Sequence, residues 1–526
     1  MKPKYKYQRS SGVLLPVTAL HGPYGVGVLG KEAREFIDFL CEAQFTIWQV
    51  LPVEQVGSCF SPYKCISTYA GEPILIDPRA LWEMGLVASK DLEERSDGLC
   101  EGNADFALVR EKQWTLLRTA FSNLKGEPYV EYNPPWLENY ALYMALKTRY
   151  EDKPWFQWPD ADVRAFDAAA VALAKKELAE DIKFYKFVQW LFSVQWTGLK
   201  EYATSRGISI MGDLPIYVSE DSVDVWSRRE LFDADTEGVF LKIGGAPPDY
   251  FNLDGQLWGN PIYNWELLEK EGFSWWIDRV RASLGRYDLL RLDNFRGLES
   301  YWSNPADAKT AREGKWVKGP GMKLINALTG ALGELPIVAE DLGDVTVAVV
   351  ELLRESGFRG MRVLQFGFGY LPDEMHVPHS FTENCIAYTG THDNTTMLAW
   401  LFDLGYEERE QVLFYYGFNG DWTAGGPNCA IMKCIIRGLF TSAASITIVP
   451  IQDLLGYGAD TRTNVPGSAE GNWAFRMRTG VLSEIDAGFY RALNKATGRT
   501  IEPEPEVEPE VEAEPEVQVT GCSENT

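Results

Sequence analysis

The chain has 526 residues, is 45% apolar and carries a formal net charge of −25, an ordinary globular composition with a strongly acidic balance. That charge argues against nucleic acid, whose phosphates call for Lys and Arg patches, and against an anionic membrane face. A neutral ligand such as a sugar is compatible with it. Part of the charge is local, because eight Glu residues lie between Glu502 and Glu516 and no Lys or Arg follows Arg499.

In chain order, the first segment up to Val17 is charged but lacks the continuous apolar stretch of a secretory signal. No apolar run reaches the roughly 18 residues a membrane helix needs, so the expected location is the cytoplasm. Eight Cys are scattered without a CxxC pair, and the four His show no zinc-ligand spacing. Reduced thiols and no metal are expected. Short apolar runs bounded by Gly, Pro and polar residues predict buried strands. They fall at Gly12–Val17, Thr46–Pro52, Ile208–Pro215, Tyr287–Asp293, Pro336–Glu340, Gly360–Phe366, Cys385–Tyr388 and Ile446–Ile451. Helical spacing separates them: Ala33, Phe36, Ile37 and Leu40 after the first run, and Phe184, Phe187, Val188 and Leu191 before the third.

Eight alternations of strand and helix predict an α/β fold, a (β/α)₈ TIM barrel, within residues 1–500. The alternative, a doubly wound sheet, is weakened because no GxGxxG follows an early strand. Two connections exceed a simple crossover: about 79–205, mainly helical, and about 217–286, rich in Trp, Gly, Pro and Asp. Inserted subdomains of this kind usually build the cleft on the C-terminal face of the strands. Residues 501–526 form an acidic Glu/Pro tail, expected to be disordered and dispensable for activity. Too few residues follow the eighth strand for a C-terminal β-sandwich domain.

Three predicted strands end in carboxylates, at Asp293, Glu340 and Asp393. Barrel strand ends converge on one mouth. Glycoside chemistry needs two carboxyls flanking the scissile bond, one giving a proton to the leaving oxygen and one attacking the anomeric carbon or activating water. Arg291, two residues before Asp293, shares its strand face and can favour the ionised carboxylate.

Four segments resemble the signature regions of the α-amylase clan: Gly212 to Ile216, Arg291 to Asp293, Ala339 to Gly343, and Thr391 to Asn394. The resemblance tightens to glycoside hydrolase family 77, the 4-α-glucanotransferases. It rests on Gly22 to Gly27, Ser61 to Tyr63, Ala70-Gly71, Gly245 to Phe251, Gly255 to Pro261, Trp316 to Gly321, Gln452-Asp453 and Arg462 to Trp473. By that resemblance Asp293 is the nucleophile, Glu340 the general acid/base and Asp393 the transition-state stabiliser. Tyr63, Asp213, Arg291 and His392 are implied around the reacting sugar. Asp249, Phe251, Gln256 and Trp258 are implied on a loop over the acceptor, and Asn464 on a second loop at the cleft. Three residues depart from the family pattern: Asn294 for His, Glu72 for Asn and Thr395 for Asp.

The implied reaction transfers a segment of a 1,4-α-D-glucan, such as a maltodextrin, to the 4-hydroxyl of an acceptor by a retaining double displacement. An amylase-type hydrolase would use the same trio, and a non-catalytic glucan-binding protein would tolerate loss of a carboxylate. No cofactor is implied.

Overall fold

The structure, a computed structural model, describes residues 9–99, 101–235, 239–248, 253–468 and 470–500. The acidic tail, Asp249 and Phe251 therefore lie outside the described residues. Twelve strands occur among them: β1 Ser10–Leu14, β2 Ile47–Gln49, β3 Ser209–Pro215, β4 Lys242–Ala246, β5 Gln256–Pro261, β6 Leu289–Asp293, β7 Ser300–Pro305, β8 Lys315–Lys318, β9 Ile337–Ala339, β10 Arg359–Val363, β11 Cys385–Tyr388 and β12 Ile446–Pro450. Eight of them, β1, β2, β3, β6, β9, β10, β11 and β12, close into a barrel in which neighbours in sequence are neighbours in space. Every barrel pairing is parallel. The eight apolar runs are these eight strands.

Alternate residues of each strand face opposite sides. Leu14, Ile47, Met211, Leu289, Val338, Met361, Ile386 and Ile446 cluster together as the barrel filling. Their neighbours Val13, Trp48, Ile210, Leu290, Ile337 and Ala387 pack outward with the helices. The helix Lys31–Glu42 turns Ala33, Phe36, Ile37 and Leu40 inward. Ala179–Ser205 does the same with Phe184, Phe187, Val188 and Leu191.

The connection from β2 to β3 is built of helices, including Phe106–Ser122, Leu137–Arg149 and Ala179–Ser205. One expectation needs correction. Gln256 and Trp258 do not sit on a loop, because they open β5. That strand belongs to a four-stranded antiparallel sheet in the order β5-β4-β7-β8. Half of this sheet comes from the connection between β6 and β9, so Trp316 and Lys318 lie on β8 opposite Trp302 and Ser300.

The seam between β1 and β12 is locked from below. Arg499 is fully buried, and its guanidinium donates to the carbonyls of Ser10 (2.9 Å), Phe440 (3.0 Å), Ala444 (2.9 Å) and Ser445 (3.2 Å). Arg9 adds bonds to the carbonyls of Phe440 and Ser442, both at 3.0 Å.

Gly212 shows how tightly the wall is packed. A Cβ there would lie 2.3 Å from Cδ2 of Tyr287, whose ring is buried. Gly212→Ala should cost about 1–3 kcal/mol of stability, the usual range for overpacking. The check is thermal unfolding, and an unchanged Tm would show that Tyr287 gives way freely.

Candidate active site

Strand parity sets the site. Met211 fills the barrel, so Asp213, two residues on, faces the same axis. Leu289 does so for Arg291 and Asp293, and Val338 for Glu340. Cross-strand register brings Asp213 beside Arg291 and Pro215 beside Asp293. The backbone of the next strand end is tied in as well: the Glu340 amide donates to the Leu292 carbonyl at 3.1 Å, and the Phe295 amide donates to the Glu340 carbonyl at 3.1 Å.

Arg291 is the hub. Its Nη1 reaches Oδ2 of Asp213 at 2.6 Å and Oδ2 of Asp293 at 3.3 Å. Its closer partner is thus Asp213, which is fully buried, while the Asp293 side chain exposes 27% of its surface to the mouth. Tyr63 completes the ring. Its hydroxyl donates to Asp213 at 2.7 Å and lies 3.0 Å from Nε2 of His392. The two rings stack with centroids 5.3 Å apart, and Trp473 leans on both, at 5.8 and 6.0 Å. His392 Nε2 in turn lies 3.4 Å from Oδ1 of Asp393.

Asp393 is braced by the segment after β12. Asn464 donates to its Oδ1 at 2.6 Å. Arg462 donates to its carbonyl at 2.5 Å and to the Asn464 carbonyl at 2.7 Å. Gln452 and Asp453 work one layer further out. Gln452 donates to the Thr461 carbonyl and to the Thr463 hydroxyl. Asp453 accepts from the Thr389 hydroxyl at 2.5 Å and the Met397 amide at 2.7 Å. These two residues therefore hold the loops that carry Asp393 and Asn464.

Gln256 and Trp258 are linked to each other, the indole donating to Oε1 of Gln256 at 3.1 Å. The Trp258 ring backs onto Tyr217 at 6.2 Å. Lys64, next to Tyr63, donates to the Trp258 carbonyl at 2.5 Å, which fixes β5 to the wall of the site. Lys64, Arg462, Gln452 and Trp473 were given no role from the sequence. Most of them act on backbone carbonyls or through packing, and neither leaves a spacing signature.

Of the family departures, Glu72 has a structural explanation. Its carboxylate accepts the amides of Val56 and Ile74 at the start of the short helix Pro73–Leu75. Nothing among the contacts of Asn294 explains its replacement of His. Asp341, beside Glu340, serves the neighbouring strand, accepting the Met361 amide at 2.6 Å and pairing with Arg362 at 3.2 Å.

The carboxyls differ in proton affinity. Burial, with the charge of Asp293 next, pushes Glu340 up to about 8. Arg291 and the Leu342 amide, which donates to Oε1 at 3.0 Å, oppose this only in part. Burial also raises Asp293, but Arg291 directly counters it. The proton in this pair rests on Glu340. Among the described residues, no group of three or more His, Cys, Asp or Glu side chains is arranged to hold a metal ion. No described helix is long and apolar enough to cross a membrane.

A carboxylic acid and an arginine-braced carboxylate at the ends of adjacent strands in a (β/α)₈ barrel are equipment for processing glycosidic bonds. The family model of the 4-alpha-glucanotransferases, glycoside hydrolase family 77, matches residues 15–482, and the chain belongs to that family. It is a glycosyl-transferring enzyme, and the hydrolase alternative is not favoured. The chain is 42% identical to a 4-alpha-glucanotransferase of Thermus thermophilus, over 93% of this chain and 99% of that one. It is 39% identical to one of Clostridium butyricum, over 92% and 99%. The fold superposes on a solved amylomaltase from Streptococcus agalactiae in complex with acarbose with a TM-score of 0.90. That match has 38% identity and covers 94% of this chain and 100% of that one.

Proposed function

We propose that the enzyme moves a segment of a 1,4-α-D-glucan to the 4-hydroxyl of an acceptor glucose or glucan by two displacements at one carbon. In the first, the Asp293 carboxylate attacks the anomeric carbon while Glu340 passes its proton to the departing glycosidic oxygen. The products of this step are a covalent glycosyl ester on Asp293 and a free glucan chain. In the second, Glu340 takes the proton of the acceptor 4-hydroxyl, the acceptor oxygen attacks the anomeric carbon, and the ester bond breaks. Two inversions give net retention. Asp213, Tyr63, Arg291 and His392 position the reacting sugar and its nucleophile, and Asp393, braced by Asn464, stabilises the charge that develops. The observation that carries the reading is the pairing of two carboxyls at adjacent strand ends, with Asp293 braced by Arg291 at 3.3 Å and the Glu340 amide tied to the Leu292 carbonyl beside it. The test is incubation with maltotriose. Glucose and longer oligomers should both appear, the newly formed linkages should be α-1,4 by NMR, and a β-linkage would overturn the mechanism.

Transfer outcompetes hydrolysis when an acceptor is held beside the anomeric carbon at high effective concentration. Gln256 and Trp258, anchored to the site wall through Lys64, are proposed to supply that hold, together with Asp249 and Phe251. Trp258→Ala should weaken acceptor occupancy by on the order of 1 kcal/mol, which is several-fold. The ratio of new reducing ends, which only hydrolysis creates, to glucan transferred, at fixed maltotriose, should then rise. An equal fall in both would place the ring on the donor side or in the folding of the sheet. A cytoplasmic site of action is consistent with the six described cysteines, all of which are free thiols.

A further inference from the structure

A cavity of about 610 Å³ lies away from the catalytic carboxyls. It lies on the outer wall of the barrel, where Leu137–Arg149 and the segment before it meet Ala179–Ser205 and Ser274–Arg286. Its volume falls within the roughly 300–1,000 Å³ of small-molecule sites. Two coplanar pairs of rings line it. Tyr69 and Trp136 stack at 6.0 Å with planes 10° apart, and Phe192 and Trp196 at 6.1 Å with planes 6° apart.

The arginines around this cavity are already spent on acidic partners. Arg228 is paired with Glu271 at 2.9 Å, Arg286 with Glu54 at 2.5 Å, and Arg281 with Asp278. Asp224 accepts from the Thr68 amide and hydroxyl. Among the described residues, an anion would find no unpaired arginine there, and both oxygens of Asp224, a carboxylate without an ion-pair partner, are taken by Thr68. Neutral hydrogen-bonding groups, by contrast, are open. The side-chain amide of Asn139 and the indole N–H groups of Trp136 and Trp275 have no partner among the described residues. Flat apolar faces, uncharged donors and an internally neutralised rim match a ligand that is itself neutral, rigid and edged with hydroxyls.

We infer that this cavity is a second carbohydrate site, which holds a run of α-1,4-linked glucose units away from the catalytic mouth. The choice of an α-glucan rests on the proposed reaction, while the class of a neutral polyol rests on the cavity alone. The site tethers long chains and leaves short ones to the catalytic cleft. None of its lining residues touches the cluster around Arg291.

Two variants test this. Trp136→Ala removes a platform, and Asn139→Ala removes an open amide that supports nothing else. Electrophoresis of the full-length enzyme through gels with and without glycogen reads tethering, and kinetics on maltotriose reads the catalytic site. Both variants should be retarded less by glycogen and should show about a five-fold higher KM for it, the scale of one lost ring contact. Their KM and kcat on maltotriose should stay at the parent values. If the parent converts maltotriose and both variants bind glycogen as the parent does, the second site is wrong and the reaction stands. If the variants lose maltotriose turnover as well, the cavity serves the fold or the cleft, and the inference also fails. A parent that does not convert maltotriose would sink the reaction and with it the choice of glucan.

Discussion

Asp293→Ala is expected to abolish every product, transferred or hydrolysed, with a loss on the order of 10⁴-fold or more, the scale for removing a nucleophile. The carboxylate has no substitute nearby. Asp213 is fully buried and engaged by Arg291 and Tyr63, and Asp393 is held by Asn464. Removing Asp293 also removes a cause of the raised proton affinity of Glu340, so the remaining acid becomes stronger without gaining a nucleophile. The check is turnover of maltotriose and of α-maltosyl fluoride. Fluoride leaves without protonation, so its release reports nucleophilic attack alone. Substantial fluoride release by Asp293→Ala would remove this residue from the reaction.

Glu340→Gln should separate the two roles. An amide cannot give a proton to a sugar oxygen, so maltotriose turnover should fall by about 10²–10⁴-fold, the contribution of general acid catalysis. The first step on α-maltosyl fluoride should survive. The parent enzyme needs Glu340 protonated for bond cleavage. Its rate should therefore hold below the raised pKa and fall as pH rises through about 8, and this alkaline limb should vanish in Glu340→Gln. The same electrostatics explains how one residue serves both steps. Once Asp293 is esterified its charge is gone, and one of the causes that raised Glu340 disappears with it. Glu340 then holds its proton less tightly and is suited to act as a carboxylate base. A pH profile in Glu340→Gln identical to that of the parent would assign the limb to another group.

Much of this was legible in the sequence because the barrel strands are buried on both faces. Runs such as Ile208 to Pro215 and Ile446 to Ile451 need no alternation to be read, and parity along them places Asp213, Arg291, Asp293 and Glu340 on one axis. The antiparallel sheet was not legible. Its strands are short and come from two separate connections. Segments such as Lys315-Trp316-Val317-Lys318 and Ser300 to Pro305 lack a clean period of two. Trp258 consequently read as a loop residue. Nor could spacing show that Arg291 lies nearer Asp213 than Asp293, since both aspartates sit on its own strand face or the adjacent one. The difference of 0.7 Å is a matter of side-chain reach.

The seam sealed by Arg499 has a consequence for the order in which the protein comes to life. Ser10 pairs with Ile446, so closing the barrel joins the two ends of the described chain, and contacts this distant are slow to form. The catalytic ring draws Tyr63 from the first quarter and Asn464 from the last eighth. It is therefore incomplete on a ribosome until almost the whole chain has emerged. Catalysis is in this sense a late event of biosynthesis, reporting that the first and last strands have met, while the helices between them can form long before.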